Sequence, residues 1–269
     1  MLWNAKNGSV WIGGTEMYYV SFGHGDRTLI LLPGLSDGLA TVKGKALLLA
    51  KPYGPFFAHY TVYLFSRKND MPEGYSIRDM ASDQAKAIES LGIDSASILG
   101  VSQGGMIAQY LAVDHPELVE KLVLAVSAPR VNDTIRERVN RWTELAKQGK
   151  HKELMIDTAE NSYSPAYLRR YRKLYPIIGM IGKPASYERF LINANAILHF
   201  DIYQELNGIT CPTLILGGAE DQIVGVQASY ELKEQIAGSE LYVYPGLGHA
   251  TYEEAKDFND RVLRFLIKR

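Results

Sequence analysis

The chain has 269 residues, 46% of them hydrophobic and 22% charged, with a formal net charge of −1. That length can bury a large core, and the near-neutral balance gives no reason to expect a nucleic acid or a membrane surface as partner. The single cysteine, Cys211, excludes an internal disulfide; Thr210 and Pro212 beside it supply no metal or redox partner, so it reads as a small buried residue.

The opening residues "MLWNAKNGSVWIGG" lack the basic-then-apolar pattern of a signal peptide, and no apolar run reaches membrane-spanning length, so a soluble cytoplasmic protein is expected. "VWIGGTEMYYVSFG" predicts two short strands about Gly13-Gly14. "TLILLPG" (28–34) and "YTVYLFS" (60–66) are continuous apolar runs of the kind found in strands buried on both faces. In "SIRDMASDQAKAIESLG" (76–92), Ile77, Met80, Ala81, Ile88 and Leu91 share one helical face, and Ser76 with Asp79 forms a capping-box-like start. "SASILGVS" then predicts a strand, "QGGMIAQYLAVDH" a helix and "KLVLAVSA" a strand. After residue 205 the alternation resumes with "CPTLILGG", "VQASYELKEQIAG", "SELYVYPG" and a closing helix in "YEEAKDFNDRVLRFLIK".

Strand–helix alternation of this kind predicts an α/β fold with a mostly parallel sheet covered on both faces. Residues 130–205 interrupt it with helical segments only, so a helical cap (130–205) is expected over a core made of 1–129 and 206–269. Residues 130–199 hold thirteen Lys/Arg against seven Asp/Glu, a balance of +6. A basic lid could draw in anions, but solvated faces of amphipathic helices are the favoured explanation. Trp142, Met155, Tyr163, Phe190 and Phe200 are candidate pocket walls.

Three stretches carry chemistry. Gly100-Val101-Ser102-Gln103-Gly104 is a G-x-S-x-G pattern between a predicted strand and helix, where small residues permit a strained turn that lifts the serine hydroxyl off the sheet. A phosphate loop fits poorly, since GxxxxGK[ST] is absent. Asp221 in "TLILGGAEDQIV" follows a late strand, at the same sheet edge as Ser102, while Glu220 would face another direction. His249 in "YPGLGHATYEEAKDF" follows the last strand, and an imidazole there could take the serine proton if a carboxylate fixes its tautomer. The other five histidines lack such a setting.

The pieces "LLPGLSDG", "GVSQGG", "HPELVEKLVL", "CPTLILGGAEDQIV" and "GLGHATYEEAKDF" together resemble the α/β-hydrolase superfamily over nearly the whole chain. The resemblance implies an α/β-hydrolase fold with Ser102 as nucleophile, His249 as base and Asp221 as the acid that orients it. It also implies an oxyanion hole built from the backbone N–H groups of Leu35 and Gln103. The usual His-Gly after the first parallel strand is Pro33-Gly34 here, and the expected donor is a backbone amide two residues past Pro33, which the change leaves in place. Serine in place of aspartate at 102 argues against the dehalogenases and epoxide hydrolases of the superfamily. The expected activity is hydrolysis of a small ester-like molecule, with no metal or organic cofactor; a homodimer is compatible with the sequence. A lactonase, a C–C bond hydrolase, a cofactor-free haloperoxidase and a slow-turnover ligand receptor are the alternatives.

Overall fold

The computed structural model describes residues 2–178 and 182–268. Eight strands form one sheet: β1 (Lys6–Ile12), β2 (Thr15–Gly23), β3 (Arg27–Leu32), β4 (Tyr60–Phe65), β5 (Ala96–Val101), β6 (Val119–Ala125), β7 (Thr213–Gly218) and β8 (Glu240–Tyr244). Their order is β1-β2-β4-β3-β5-β6-β7-β8. β1 and β2 form the expected hairpin and β2 runs antiparallel to β4. All later pairings are parallel.

The apolar runs are continuous because both faces of each central strand are covered. Successive side chains alternate between faces: Ile30, Leu32, Ile98, Leu122 and Leu124 join one core cluster, and Leu29, Leu31, Leu99, Val123 and Ala125 join the other. Helices α1 (Ala46–Ala50), α2 (Ile77–Ser90) and α3 (Gln103–Asp114) belong to the first half of the chain. The cap of α2 is the predicted one: the Asp79 N–H donates to Ser76 Oγ at 3.1 Å and the Ser76 N–H donates to Asp79 Oδ2 at 3.0 Å.

Between β6 and β7 lie α4 (Asp133–Lys147), α5 (His151–Ser162), α6 (Pro165–Tyr171), α7 (Tyr175–Ile178) and α8 (Glu188–Leu198). The chain leaves and re-enters this insert at one place, where Val131 N–H donates to Phe200 O (3.1 Å) and Ile202 N–H to Pro129 O (3.0 Å). The second half closes with α9 (Val226–Gln235), α10 (Thr251–Glu254) and α11 (Phe258–Ile267). Among the described residues no helix is long and apolar enough to cross a membrane. Cys211 is half-buried at the margin of the core rather than fully enclosed, because it lies in the loop before β7.

β3 has β4 on one side and β5 on the other, so the chain winds outward in both directions from this strand. Open α/β sheets form a crevice at the carboxyl ends of strands flanking such a reversal. Leu35 follows β3 and Ser102 follows β5, at that crevice.

Candidate active site

Ser102 occupies the turn between β5 and α3 with φ 54° and ψ −119°. Positive φ is uncommon for a residue with a Cβ, and its neighbours hold it there. The Ser102 N–H donates to Ala125 O (2.9 Å), while its carbonyl accepts from the Gly105 N–H (2.9 Å) and from Ser127 Oγ (2.9 Å). The flanking glycines are required by space. A Cβ on Gly100 would sit 2.5 Å from Gly104 O, so β5 and α3 approach too closely for any side chain between them.

His249, in the loop after β8, lies within hydrogen-bonding distance of Ser102: its Nε2 is 3.0 Å from Ser102 Oγ. Its Nδ1 is 2.8 Å from Asp221 Oδ2. The other carboxylate oxygen of Asp221 accepts from the N–H groups of Ile223 (2.8 Å) and Val224 (3.0 Å), so the carboxylate cannot rotate away. Burial pushes the Asp221 carboxyl up, but His249 and these two amides outweigh it and hold it below the ordinary carboxylate value. The carboxylate therefore stays charged beside the ring, the condition for fixing Nδ1 as the protonated nitrogen and leaving Nε2 free to accept. Glu220 is not in this line; its N–H donates to Leu247 O (2.9 Å) and so helps place the histidine loop.

Ser102 and His249 open into a cavity of about 120 Å³. Trp142, Met155 and Phe190 line it, as expected of them, together with Leu154, Thr158 and Ser162 from α5, Leu35, Leu39 and Ile223 from loops and turns of the sheet half, and Tyr252 from α10. Two expected walls lie elsewhere. The Tyr163 ring stacks on Tyr167 at 4.4 Å between centroids and its hydroxyl donates to Glu253, while Phe200 packs edge-on against Tyr110. Among the described residues that line it there is no Lys, Arg, Asp or Glu. Several basic residues of the insert are engaged outside the cavity, in pairs such as Arg138–Asp157, Arg172–Glu160 and Arg130–Glu231.

Leu35 opens a 3₁₀ turn (Leu35–Gly38) and Gln103 opens α3, positions whose N–H groups have no acceptor within their own helix. Leu35 lines the cavity. The Gly34 turn lies against the serine, since a Cβ on Gly34 would be 3.3 Å from Ser102 Cβ. The Gln103 side chain is fully buried and runs away from the cavity, accepting from Arg67 at 2.9 Å and donating to Asn193 O at 2.9 Å. Neither of these partners is marked by a motif in the sequence.

Residues 29–256 match the model of the alpha/beta hydrolase fold family. A Serratia proteamaculans protein named as a putative carbamate hydrolase, RutD, is 28% identical over 218 residues, 75% of this chain and 76% of its own. An α/β-hydrolase superfamily protein of Bacillus subtilis, YisY, is 30% identical over 209 residues, 74% of this chain and 76% of its own. Among solved structures, the enol-lactonase of Burkholderia xenovorans superposes with a TM-score of 0.81 at 22% identity, covering 97% of this chain and all of its own. MGS-M2, an α/β-hydrolase enzyme from a Medee basin deep-sea metagenome library, gives a TM-score of 0.83 at 22% identity, over 97% of this chain and 98% of its own. At that identity the two structures speak for a shared fold, while the family match covers most of the sequence. The chain belongs to the α/β-hydrolase family.

Proposed function

We propose that the protein is a serine hydrolase of small, uncharged esters and related acyl compounds. The observation that carries this reading is the line Ser102 Oγ–His249–Asp221, with separations of 3.0 and 2.8 Å, ending at an apolar cavity. Ser102 Oγ attacks the carbonyl carbon as its proton passes to His249 Nε2, and the carbonyl oxygen becomes an anion held by the N–H groups of Leu35 and Gln103. The imidazolium, steadied by Asp221, then gives its proton to the departing alkoxide, leaving an acyl-serine. A water that loses its proton to His249 attacks this acyl group; collapse releases the acid and returns the proton to Ser102.

The cavity is smaller than the roughly 300–1,000 Å³ typical of ligand pockets, which supports a small substrate, and its lack of charged walls supports an uncharged one. The helices between β6 and β7 act as the cap, supplying Trp142, Leu154, Met155 and Phe190 as its walls. The same chemistry would open a lactone or cleave a carbamate, the compounds for which two of the similar proteins are named.

The test is a panel of short p-nitrophenyl esters, a lactone and a carbamate, run on the parent and on Ser102→Ala. Steady turnover by the parent and a loss of roughly 10⁴-fold or more in the variant are expected. Equal rates in both, or a fluorophosphonate probe that leaves Ser102 unlabelled, would refute the mechanism. Tight ligand binding with negligible turnover would point to a receptor instead.

A further inference from the structure

A single buried guanidinium joins the two residues whose amides face the reacting oxygen in the reading above. Arg67 follows β4, and its side chain is only 2% exposed. Its Nη1 donates to Gly34 O at 2.9 Å, and its Nη2 donates to Pro33 O at 2.7 Å and to Gln103 Oε1 at 2.9 Å. Three carbonyl-type acceptors around one planar fork is a geometry that an ammonium group cannot reproduce.

The Gly34 carbonyl and the Leu35 N–H belong to one peptide plane and point in opposite directions. Fixing the oxygen therefore fixes the direction of the N–H, and a charged donor on that oxygen polarises the amide and strengthens the N–H as a donor. On the other side, the Gln103 side chain is held between Arg67 and Asn193 O, which fixes the first residue of α3.

Arg67 is itself immobilised. Its backbone N–H donates to Asp37 Oδ2 at 3.0 Å, its Nη1 lies 3.4 Å from the same oxygen, and its carbonyl accepts from Arg189 Nη2 at 2.9 Å. Arg189 Nη2 also reaches Asp37 Oδ2 at 2.6 Å. Two guanidiniums thus share one buried carboxylate, leaving this group of three with one net positive charge behind the Pro33-Gly34-Leu35 turn.

We propose that Arg67 is the positioning residue of the oxyanion hole, aligning and polarising the Leu35 amide through the Gly34 carbonyl and anchoring the Gln103 amide through its side chain. This rests on the serine-hydrolase reading. Arg67 touches no substrate; it acts through two peptide groups that do.

The experiment compares the parent with Arg67→Lys and Gln103→Met, using p-nitrophenyl acetate and counting active sites by fluorophosphonate titration. In Arg67→Lys, kcat per titrated site should fall roughly 10²-fold, the loss typical of one oxyanion donor, while KM changes by less than about threefold because the anion exists only in the transition state. Affinity for butylboronic acid, which becomes tetrahedral on the serine, should fall by a similar factor, and Gln103→Met should show both effects at about tenfold. A merely structural arginine would lower the melting temperature and the fraction of titratable sites, with kcat per site and boronate affinity unchanged. That outcome overturns the proposal, in either variant; if Arg67→Lys does not fold, Gln103→Met decides it alone. Should the parent itself neither turn over nor label at Ser102, the serine-hydrolase reading falls and this proposal with it. Should Ser102→Ala be inactive while the two other variants match the parent, only the role of Arg67 falls.

Discussion

Gly104 and Leu32 are in backbone contact: a Cβ placed on Gly104 would lie 1.9 Å from the Leu32 carbonyl oxygen. The first turn of α3 is thereby seated on the end of β3, and this contact sets the distance between the Ser102 turn and the turn that begins at Pro33.

Replacing Gly104 by alanine should therefore do more than remove flexibility. The obstructing atom is backbone, so either α3 or the end of β3 must move. We expect a loss of about 3 kcal/mol in urea unfolding, at the upper end of the usual cost of overpacking, together with slower hydrolysis at sites that remain labelled by fluorophosphonate. A variant with parental stability would show that the contact yields easily.

Asp221→Asn leaves shape nearly unchanged but replaces an acceptor that fixes the His249 tautomer with a group that can donate to Nδ1. The imidazole would then present a protonated Nε2 to Ser102. We expect kcat to fall by roughly 10⁴-fold with a far-UV spectrum like that of the parent; a decrease below tenfold would mean that another group orients His249.

Stability should fall in acid. Burial raises the Asp37 carboxyl, but Arg189, Arg67 and the neighbouring hydrogen bonds outweigh it, so it titrates below its ordinary 3.8 in the folded chain, as does Asp221. Between the folded and unfolded values the unfolded chain binds more protons, so stability rises with pH there. The contribution is complete above about pH 4–5 and is lost as pH drops through the folded values, with a limiting slope of about 1.4 kcal/mol per pH unit for each group. Urea unfolding from pH 7 to pH 3 should show a plateau and then a fall, and Asp37→Asn, destabilised at all pH values, should lose part of that slope. A parent curve flat to pH 3 would contradict this.

Met155 is half-buried on α5 and lines the cavity, so Met155→Ala should enlarge the cavity with little loss of stability. The ratio of kcat/KM for p-nitrophenyl butyrate over acetate should rise about tenfold, in line with the worth of a methylene or two in an apolar pocket. An unchanged ratio would place the acyl chain elsewhere.

The sheet, its flanking helices and the three residues of the Ser102–His249–Asp221 line were legible in the sequence, because apolar strands and the loops that follow them leave local signatures. The walls were legible only in part. Trp142 on α4 and Phe190 on α8 face the cavity whereas Phe200, in the segment after α8, faces Tyr110, and all three are large, apolar and buried; which way each points is decided by tertiary packing that no local pattern announces. Ile223 is a wall supplied by a loop and Tyr252 by the four-residue α10, where no periodicity exists to read. Arg67 and Asp37 escaped notice for a related reason: they are 30 residues apart, and nothing local to either announces a partner.

The insert is also tied to the loop of His249. Ala250 N–H donates to Ser162 O at 2.9 Å, Ser164 N–H and Oγ both donate to Glu254, and the Tyr163 hydroxyl donates to Glu253. The insert's share of the cavity wall and the loop that carries His249 are therefore one mechanical part. Grafting residues 130–205 from a relative would exchange not only the pocket but also the seat of the imidazole, and a chimera keeps its chemistry only if Glu253 and Glu254 meet matching hydroxyl and amide partners on the incoming helices.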